Sequence, residues 1–286
     1  MNHFLDLRTL ASLASFVNLV VCVIMVYFYR TRKTYAGFGH WVWASFLLFI
    51  GMILLSMRKL LPDLITVIIA NGLTACFFVM ITQGIHLFYQ KSIKSLCYFL
   101  PVFLMVLGFL YFTYIRPDIN ARIVLLSLQN FVFLMISAYS VYKLPKAVSY
   151  GGNTLVVITL LFQASFVAFR ILYTLVVDKG IQDFLTYASA VQAFSFVVLI
   201  GGNIILFFGF IIMNSQRLEN ELSDASNEIT QLRGILPICS HCKKIRDDKG
   251  YWNQLEKYIQ ERSETQFSHG ICPECAKKYY PDYKLY

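Results

Sequence analysis

The residues best suited to chemistry are four cysteines near the C-terminal end, arranged as two Cys-x-x-Cys pairs. Cys239 and Cys242 form the first pair, Cys272 and Cys275 form the second, and 29 residues lie between the pairs. Two thiolates separated by two residues can reach one metal ion from a tight turn, and two such pairs complete a tetrahedral zinc site. The gap exceeds the usual spacing of roughly 15–20 residues, but an inserted segment can account for it. We therefore predict that the four cysteines bind one zinc ion.

The two cysteine pairs are also compatible in principle with functions other than a four-cysteine zinc site. A c-type haem requires Cys-x-x-Cys-His, and Lys243 and Ala276 stand where that histidine would be. A dithiol redox switch remains open, and so does replacement of one cysteine ligand by His241 or His269. The segment between the pairs carries Trp252, Leu255, Tyr258 and Ile259, which we predict to form one apolar face of a short helix. A module of about 50 residues is small for a core without a staple, so a structural metal would support its folding.

A second group of polar residues lies inside strongly apolar segments. Charged and amide side chains in a membrane are costly and usually face a bundle interior or a cavity. The functional hypothesis is a small pocket for a ligand or a lipid headgroup, in which Arg170 binds an anion. The alternative is that the amides only join helices and that Arg170 extends to the interface. The predicted pocket residues are Arg170, Gln163, Asn71, Asn130 and Gln192.

The elements that must position these residues are membrane helices. Of the 286 residues, 57% are hydrophobic and 14% are charged, whereas about 25% charged is usual for a soluble domain. A membrane-spanning helix needs about 20 apolar residues. Seven such segments are predicted, at Leu10–Phe28, Trp41–Met57, Leu64–Tyr89, Leu96–Ile115, Ile123–Tyr142, Leu155–Val177 and Leu185–Met213.

The distribution of charge argues against nucleic acid as a partner. The chain has a net charge of +9, and the whole excess lies in residues 1–213, where basic loop residues set orientation and contact lipid headgroups. Basic residues are almost equally divided between the two sides, so the orientation rests on the cysteines, which suit a reducing compartment. We predict that the N-terminus lies outside the membrane and the C-terminus in the cytoplasm.

One long helix is predicted to join the membrane region to the cysteine module. The polar segment Asn214–Gly234 follows the last apolar segment without a helix breaker, and its apolar residues recur at heptad spacing. The predicted seam, which would form a coiled coil in a parallel homodimer, consists of Leu218, Leu222, Ala225, Ile229 and Leu232. The alternative is a monomer whose helix only spaces the module from the membrane.

The N-terminal third carries short motifs that resemble those of a known class of sensor. The motifs are Asp6-Leu7-Arg8-Thr9, Tyr35-Ala36-Gly37-Phe38-Gly39, Trp41, Gly51, Arg58, Leu61-Pro62-Asp63, Ala70-Asn71 and Gly84. They resemble the multi-pass sensor region that precedes GGDEF diguanylate cyclase or histidine kinase domains in bacteria. The resemblance implies signalling, but the chain has no GG[DE]EF stretch and no kinase glycine boxes. We predict no cyclase, kinase or other enzymatic activity and no catalytic residues, and a membrane-embedded enzyme is the least favoured alternative.

The cysteine segment resembles a C-terminal module of bacterial sensors that contain PAS or receiver domains. The two matching stretches are Ile238–Trp252 and Phe267–Cys275, which include both cysteine pairs. The predicted architecture is an all-α polytopic membrane protein with a sensor domain at 1–213, a coiled-coil signalling helix at 214–234 and a zinc-ribbon-like module at 235–286. The two resemblances imply a protein of the bacterial inner membrane that transmits a signal from the membrane bundle to a cytoplasmic signalling partner.

Overall fold

The computed structural model describes residues 7–91, 95–143, 151–178, 189–233, 237–247, 250–263, 266–268 and 270–281. The side chains of residues 95–97 and 227–233 are outside that description. The chain divides into two compact units, Met1–Asn220 and Glu221–Tyr286. The predicted seam residues Ile229 and Leu232 have described backbones only, and His269 lies outside the described residues.

The first unit is built from long helices. They are α1 (Leu7–Thr31), α2 (Phe38–Ser56), α3 (Ala70–Phe88), α4 (Ser95–Leu110), α5 (Ile119–Tyr142), α6 (Gly151–Val176) and α7 (Ala190–Arg233). A π-helical segment, Leu64–Ile69, leads into α3, and a second, Tyr111–Ile115, follows α4. Helix α7 is continuous over 44 residues and carries the chain into the second unit.

Among the residues that the structure describes, seven helical segments are long and apolar enough to cross a membrane, as the sequence predicts. They are Leu7–Thr31, Phe38–Ser56, Leu64–Phe88, Tyr98–Ile115, Ile119–Tyr142, Gly151–Val176 and Ala190–Ser226. Large apolar side chains such as Phe16, Phe103 and Leu172 lie on the outer surface of these helices, where 60–64% of their surface is accessible. In a bilayer that surface contacts lipid, so the first unit has the architecture of a polytopic α-helical membrane protein.

The core of the first unit is an aromatic cluster that two glycines make possible. The rings of Trp41 and Phe210 stack with centroids 4.0 Å apart, and the indole N–H of Trp41 donates to the carbonyl of Ile81. A Cβ at Gly84 would overlap the Trp41 indole, and one at Gly37 would overlap the backbone of Gly84. Gly37 also has φ +95°, a conformation that favours glycine. The cluster therefore fixes α2, α3 and α7 against one another.

The second unit contains short elements besides the end of α7. They are β1 (Ile245–Arg246), β2 (Trp252–Asn253), α8 (Leu255–Gln260) and α9 (Pro273–Tyr279). The strands pair antiparallel, with Arg246 opposite Trp252. The prediction that Trp252 belongs to a helical face was therefore wrong, because cross-strand pairing takes this residue into β2. Its side chain is half exposed, whereas Tyr258 on α8 is buried.

Candidate functional site

Four of the five predicted pocket residues line one cavity between the helices of the first unit. The cavity has a volume of about 110 Å³, and Asn71, Asn130, Gln163 and Arg170 are in its wall. They come from α3, α5 and α6, and α7 contributes further wall residues such as Ser195. The remaining lining is mainly apolar and includes Met52, Leu55, Phe78, Leu126, Leu134, Phe166, Val167, Phe196, Val198 and Leu199.

Two amide side chains in the cavity wall have unsatisfied polar atoms. Gln163 is 3% exposed, and neither atom of its amide has a hydrogen-bond partner among the described residues. The side-chain oxygen of Asn130 also lacks a partner in this part of the chain. A buried polar group without a partner costs about 1–3 kcal/mol, so such groups call for a functional explanation.

The position of the Gln163 side chain depends on a glycine of α7. A Cβ at Gly202 would overlap the side-chain nitrogen of Gln163, whereas a Cβ at the adjacent Gly201 would meet no atom within 4 Å. The cavity wall on α6 is thus in direct contact with the backbone of α7. Gln163 therefore contacts α7 without any intermediate side chain.

Gln192 belongs to a hydrogen-bond network beside the cavity rather than to its lining. Its side-chain oxygen accepts from Nε of Arg170 at 2.7 Å. Its side-chain nitrogen donates to Oγ1 of Thr174 at 3.0 Å and to Oδ2 of Asp178 at 3.1 Å. Ser189 donates to the same carboxylate. Gln192 therefore joins Arg170 to the start of α7. This hydrogen bond offsets part of the free-energy cost of burying the Arg170 charge.

A second set of contacts surrounds α7 at the opposite end of its apolar segment, and we call these residues the exit collar: Lys33, Tyr35, Phe88, Gly152, Asn214, Gln216 and Arg217. The side chain of Asn214 accepts from the backbone N–H of Tyr35 at 3.1 Å and donates to the carbonyl of Lys33 at 3.0 Å. The guanidinium of Arg217 donates to the carbonyl of Phe88 at 2.8 Å and lies over the Tyr35 ring. The α7 helix is thus held by the α1–α2 connection and the end of α3.

The collar also includes the beginning of α6. The side-chain oxygen of Gln216 accepts from the backbone N–H of Gly152 at 2.9 Å. A side chain at Gly152 would crowd the backbone of Met213, so the glycine permits the close approach. Sequence reasoning missed the collar, because its bonds join side chains of α7 to backbone groups that are far away in the sequence. The only available signal was a cluster of polar residues directly after an apolar segment.

In each cysteine pair, backbone N–H groups hydrogen-bond the thiol of the first cysteine. In the first pair, the backbone N–H of Cys242 and then that of His241 hydrogen-bond the thiol of Cys239 and lower its pKa. The backbone N–H of Lys243 donates to the carbonyl of Cys239 at 3.0 Å, and Lys243 has a positive φ of 59°. These bonds close the turn with both thiols on it.

The second pair repeats part of this arrangement at the start of α9. The backbone N–H of Cys275 hydrogen-bonds the thiol of Cys272 and lowers its pKa, whereas the pKa of Cys275 is raised by the side-chain hydrogen bond with Cys272. Cys272 precedes Pro273, which occupies the first turn of the helix. The donor types fit zinc in both halves, but the described residues contain no group of three or more His, Cys, Asp or Glu side chains placed to share a metal ion.

The predicted dimer seam lies on the part of α7 that follows the collar. Leu218 is half-buried, Leu222 is 63% exposed and Ala225 is exposed in the single chain. The exposed leucine is available for a partner helix, and the homodimer stays a prediction.

Comparison with known proteins found no match: no family description, no curated protein and no solved structure is similar to this chain.

Proposed function

We propose that the protein is a sensor of the bacterial inner membrane that transmits a change in its helix bundle to a cytoplasmic zinc-binding module. The observation that carries the proposal is the course of α7. This one helix contributes to the wall of the cavity, passes through the exit collar and continues without interruption to Arg233. A rigid helix with discrete packing arrangements is a recognised route for transmitting a local change.

The input end of this route is the contact between Gln163 and Gly202. The amide of Gln163 has no hydrogen-bond partner among the described residues. A ligand that hydrogen-bonds to this amide would satisfy it and would shift the position of the Gln163 side chain. The shift would act on the α7 backbone, and the network of Gln192, Arg170 and Asp178 would move with it. A conformational change requires such a differential interaction with the two states.

The output end comprises the coiled coil and the cysteine module. Heptad spacing on α7 and the exposure of Leu222 support a parallel dimer. The spacing of the cysteine pairs and the amide hydrogen bonds to Cys239 and Cys272 support zinc held by Cys239, Cys242, Cys272 and Cys275. Zinc would supply structural stability to the module, which would then bind an unidentified cytoplasmic signalling protein. A thiol redox sensor is the second candidate, because the same hydrogen bonds favour reactive thiolates.

Two neighbouring glycine substitutions test the transmission. Gly202→Ala adds a methyl group where Gln163 lies, whereas Gly201→Ala adds the same group to the same helix in open space. Hydrogen–deuterium exchange of the full-length protein in nanodiscs should change at residues 214–226 in Gly202→Ala and remain unchanged in Gly201→Ala. Identical exchange of this segment in both folded variants and the unsubstituted protein would refute the proposal.

A further inference from the structure

Three arginines converge on a second cavity that adjoins the first. Arg58, Arg122 and Arg170 line this smaller space of about 50 Å³. Arg58 follows α2, Arg122 is in the first turn of α5, and Arg170 is in the second half of α6. The two cavities share four wall residues, which are Leu55, Asn71, Leu126 and Arg170.

The convergence of like charges favours an anion. Arg58 and Arg122 are close enough to repel each other, and charges placed in a site of low dielectric interact more strongly than in water. The carboxylates of Asp63 and Asp118 offset part of the charge at Arg122, and that of Asp178 offsets part of it at Arg170. The described residues that line the two cavities include no carboxylate. A bound anion would therefore meet guanidinium groups without an acidic competitor in the wall.

Two of the three arginines are held in place by side-chain hydrogen bonds, which fix the orientation of their guanidinium groups. Nη1 of Arg122 donates to Oγ1 of Thr113 at 3.1 Å, and Nε of Arg170 donates to Gln192 at 2.7 Å. Guanidinium groups fixed in this way match the oxygens of a carboxylate or phosphate.

The polarity and volume of the larger cavity limit what the rest of the ligand can be. Its wall is mainly apolar, with Phe78, Leu134 and Phe166 among the lining residues. Its polar atoms include the unpartnered amide of Gln163 and the unpartnered side-chain oxygen of Asn130. A cavity of about 110 Å³ is somewhat smaller than an engineered cavity of about 150 Å³ that accommodates benzene. The available space therefore suits an apolar body of about five or six heavy atoms.

We propose that the two adjoining cavities bind a small organic anion. Its oxygens lie against Arg58, Arg122 and Arg170, and its short apolar body lies in the larger cavity beside Gln163 and Asn130. This deepens the proposed function, because the same cavity is its input, but the binding itself can be measured without any signalling output.

Equilibrium binding of radiolabelled hexanoate to the full-length protein in phosphatidylcholine nanodiscs tests the proposal. Hexanoate has a carboxylate and five further carbons. Hexanamide is its uncharged analogue, and inorganic phosphate is an anion without an apolar body. We expect saturable binding at about one site per chain, with hexanamide and phosphate competing at least about tenfold more weakly. Arg170→Gln and Gln163→Leu should each weaken binding about tenfold or more, whereas Arg116→Gln, at an exposed arginine outside both cavities, should not.

Several results would overturn the proposal. Equal competition by phosphate would show that the apolar body has no part, and loss of hexanoate binding in nanodiscs that contain phosphatidylglycerol would assign the site to a lipid headgroup. Absence of saturable binding to the folded protein would refute it outright. If Arg170→Gln fails to fold, unchanged affinity in folded Gln163→Leu would contradict the placement.

Hexanoate binding without altered exchange in α7 would leave this proposal standing and count against the proposed function. Transmission in Gly202→Ala without anion binding would do the reverse.

Discussion

At the scale of single residues, glycines decide how closely the helices approach. Gly84 in α3 lies against the Trp41 ring, and Gly202 in α7 lies against Gln163. Sequence analysis placed Gly84 in a motif and gave no reason for its presence. The structure supplies one, since a fully buried indole leaves no volume for a methyl group at that position.

Gly84→Ala is expected to destabilise the membrane bundle by about 1–3 kcal/mol, because overpacking against a buried ring forces shifts in side chains and backbone. Gly72→Ala is the matched control in the same helix, since its Cβ would meet only Val106 at 3.8 Å. Thermal unfolding in detergent, followed by tryptophan fluorescence, measures both variants. Equal unfolding temperatures for the two variants would contradict this account of the core.

The cysteines provide a second prediction for individual residues. Elemental analysis of the full-length reduced protein should show about one zinc ion per chain. Cys239→Ser and Cys272→Ser should each lose most of it, and Cys22→Ser, in α1, should retain it. Zinc should also be released as pH falls, because the ligands must be deprotonated. A folded, reduced protein without zinc would rule out the metal site.

At the scale of elements, the sequence predicted the seven membrane helices because bilayer thickness imposes a length that hydrophobic segments report directly. For the first six segments the predicted starts and ends differ by at most four residues from the described ones, whereas the seventh continues past its predicted end at Met213 to Ser226. Trp252 was misplaced because helical spacing of apolar residues over a short stretch does not exclude a strand, and pairing with Arg246 decided the outcome. The pocket residues were chosen by depth in the membrane, but only the fold shows that Gln192 bonds to Arg170 from outside the cavity lining.

The exit collar makes a prediction about α7. Asn214→Ala removes the bonds to Tyr35 and Lys33, each worth about 1 kcal/mol, and should increase hydrogen exchange in α7 after residue 214. Ser215→Ala changes an exposed neighbour and should leave exchange unaltered. Equal exchange in the two variants would show that the collar does not restrain the helix.

The seam makes a separate prediction about the second half of α7. In a background without the native cysteines, single cysteines at Leu222 or Ile229 should cross-link between chains in the membrane. Cysteines at Ser223 and Thr230, which fall outside the heptad seam, should cross-link less. The seam is barely three heptads long, and helices of this length are marginal alone. Equal cross-linking at all four positions, or none, would exclude the heptad dimer.

At the scale of the whole molecule, one continuous helix, α7, belongs to the membrane bundle and ends at Arg233, shortly before the first cysteine pair in the sequence. Hydropathy predicts the membrane bundle, and cysteine spacing predicts the cysteine module. The collar bonds of Asn214 and Arg217 join residues more than a hundred positions apart, which no local pattern encodes. The account requires the two ends of the protein to lie on opposite sides of the membrane.

Topology is therefore a direct prediction for the molecule. A fluorescent-protein fusion at Tyr286 should be bright and an alkaline-phosphatase fusion at the same position inactive, because we propose that the cysteines lie in the cytoplasm, where thiols stay reduced. An active phosphatase fusion would reverse the orientation.

The central claim is that α7 carries a change at the cavity through the collar, and a double-mutant cycle tests it most directly. Hydrogen exchange of residues 218–226 is measured in the unsubstituted protein, Gly202→Ala, Asn214→Ala and the double variant, all in nanodiscs. The account predicts that Gly202→Ala alters exchange when Asn214 is present and has little further effect in the Asn214→Ala background. The same change in both backgrounds, or no change in either, would contradict it.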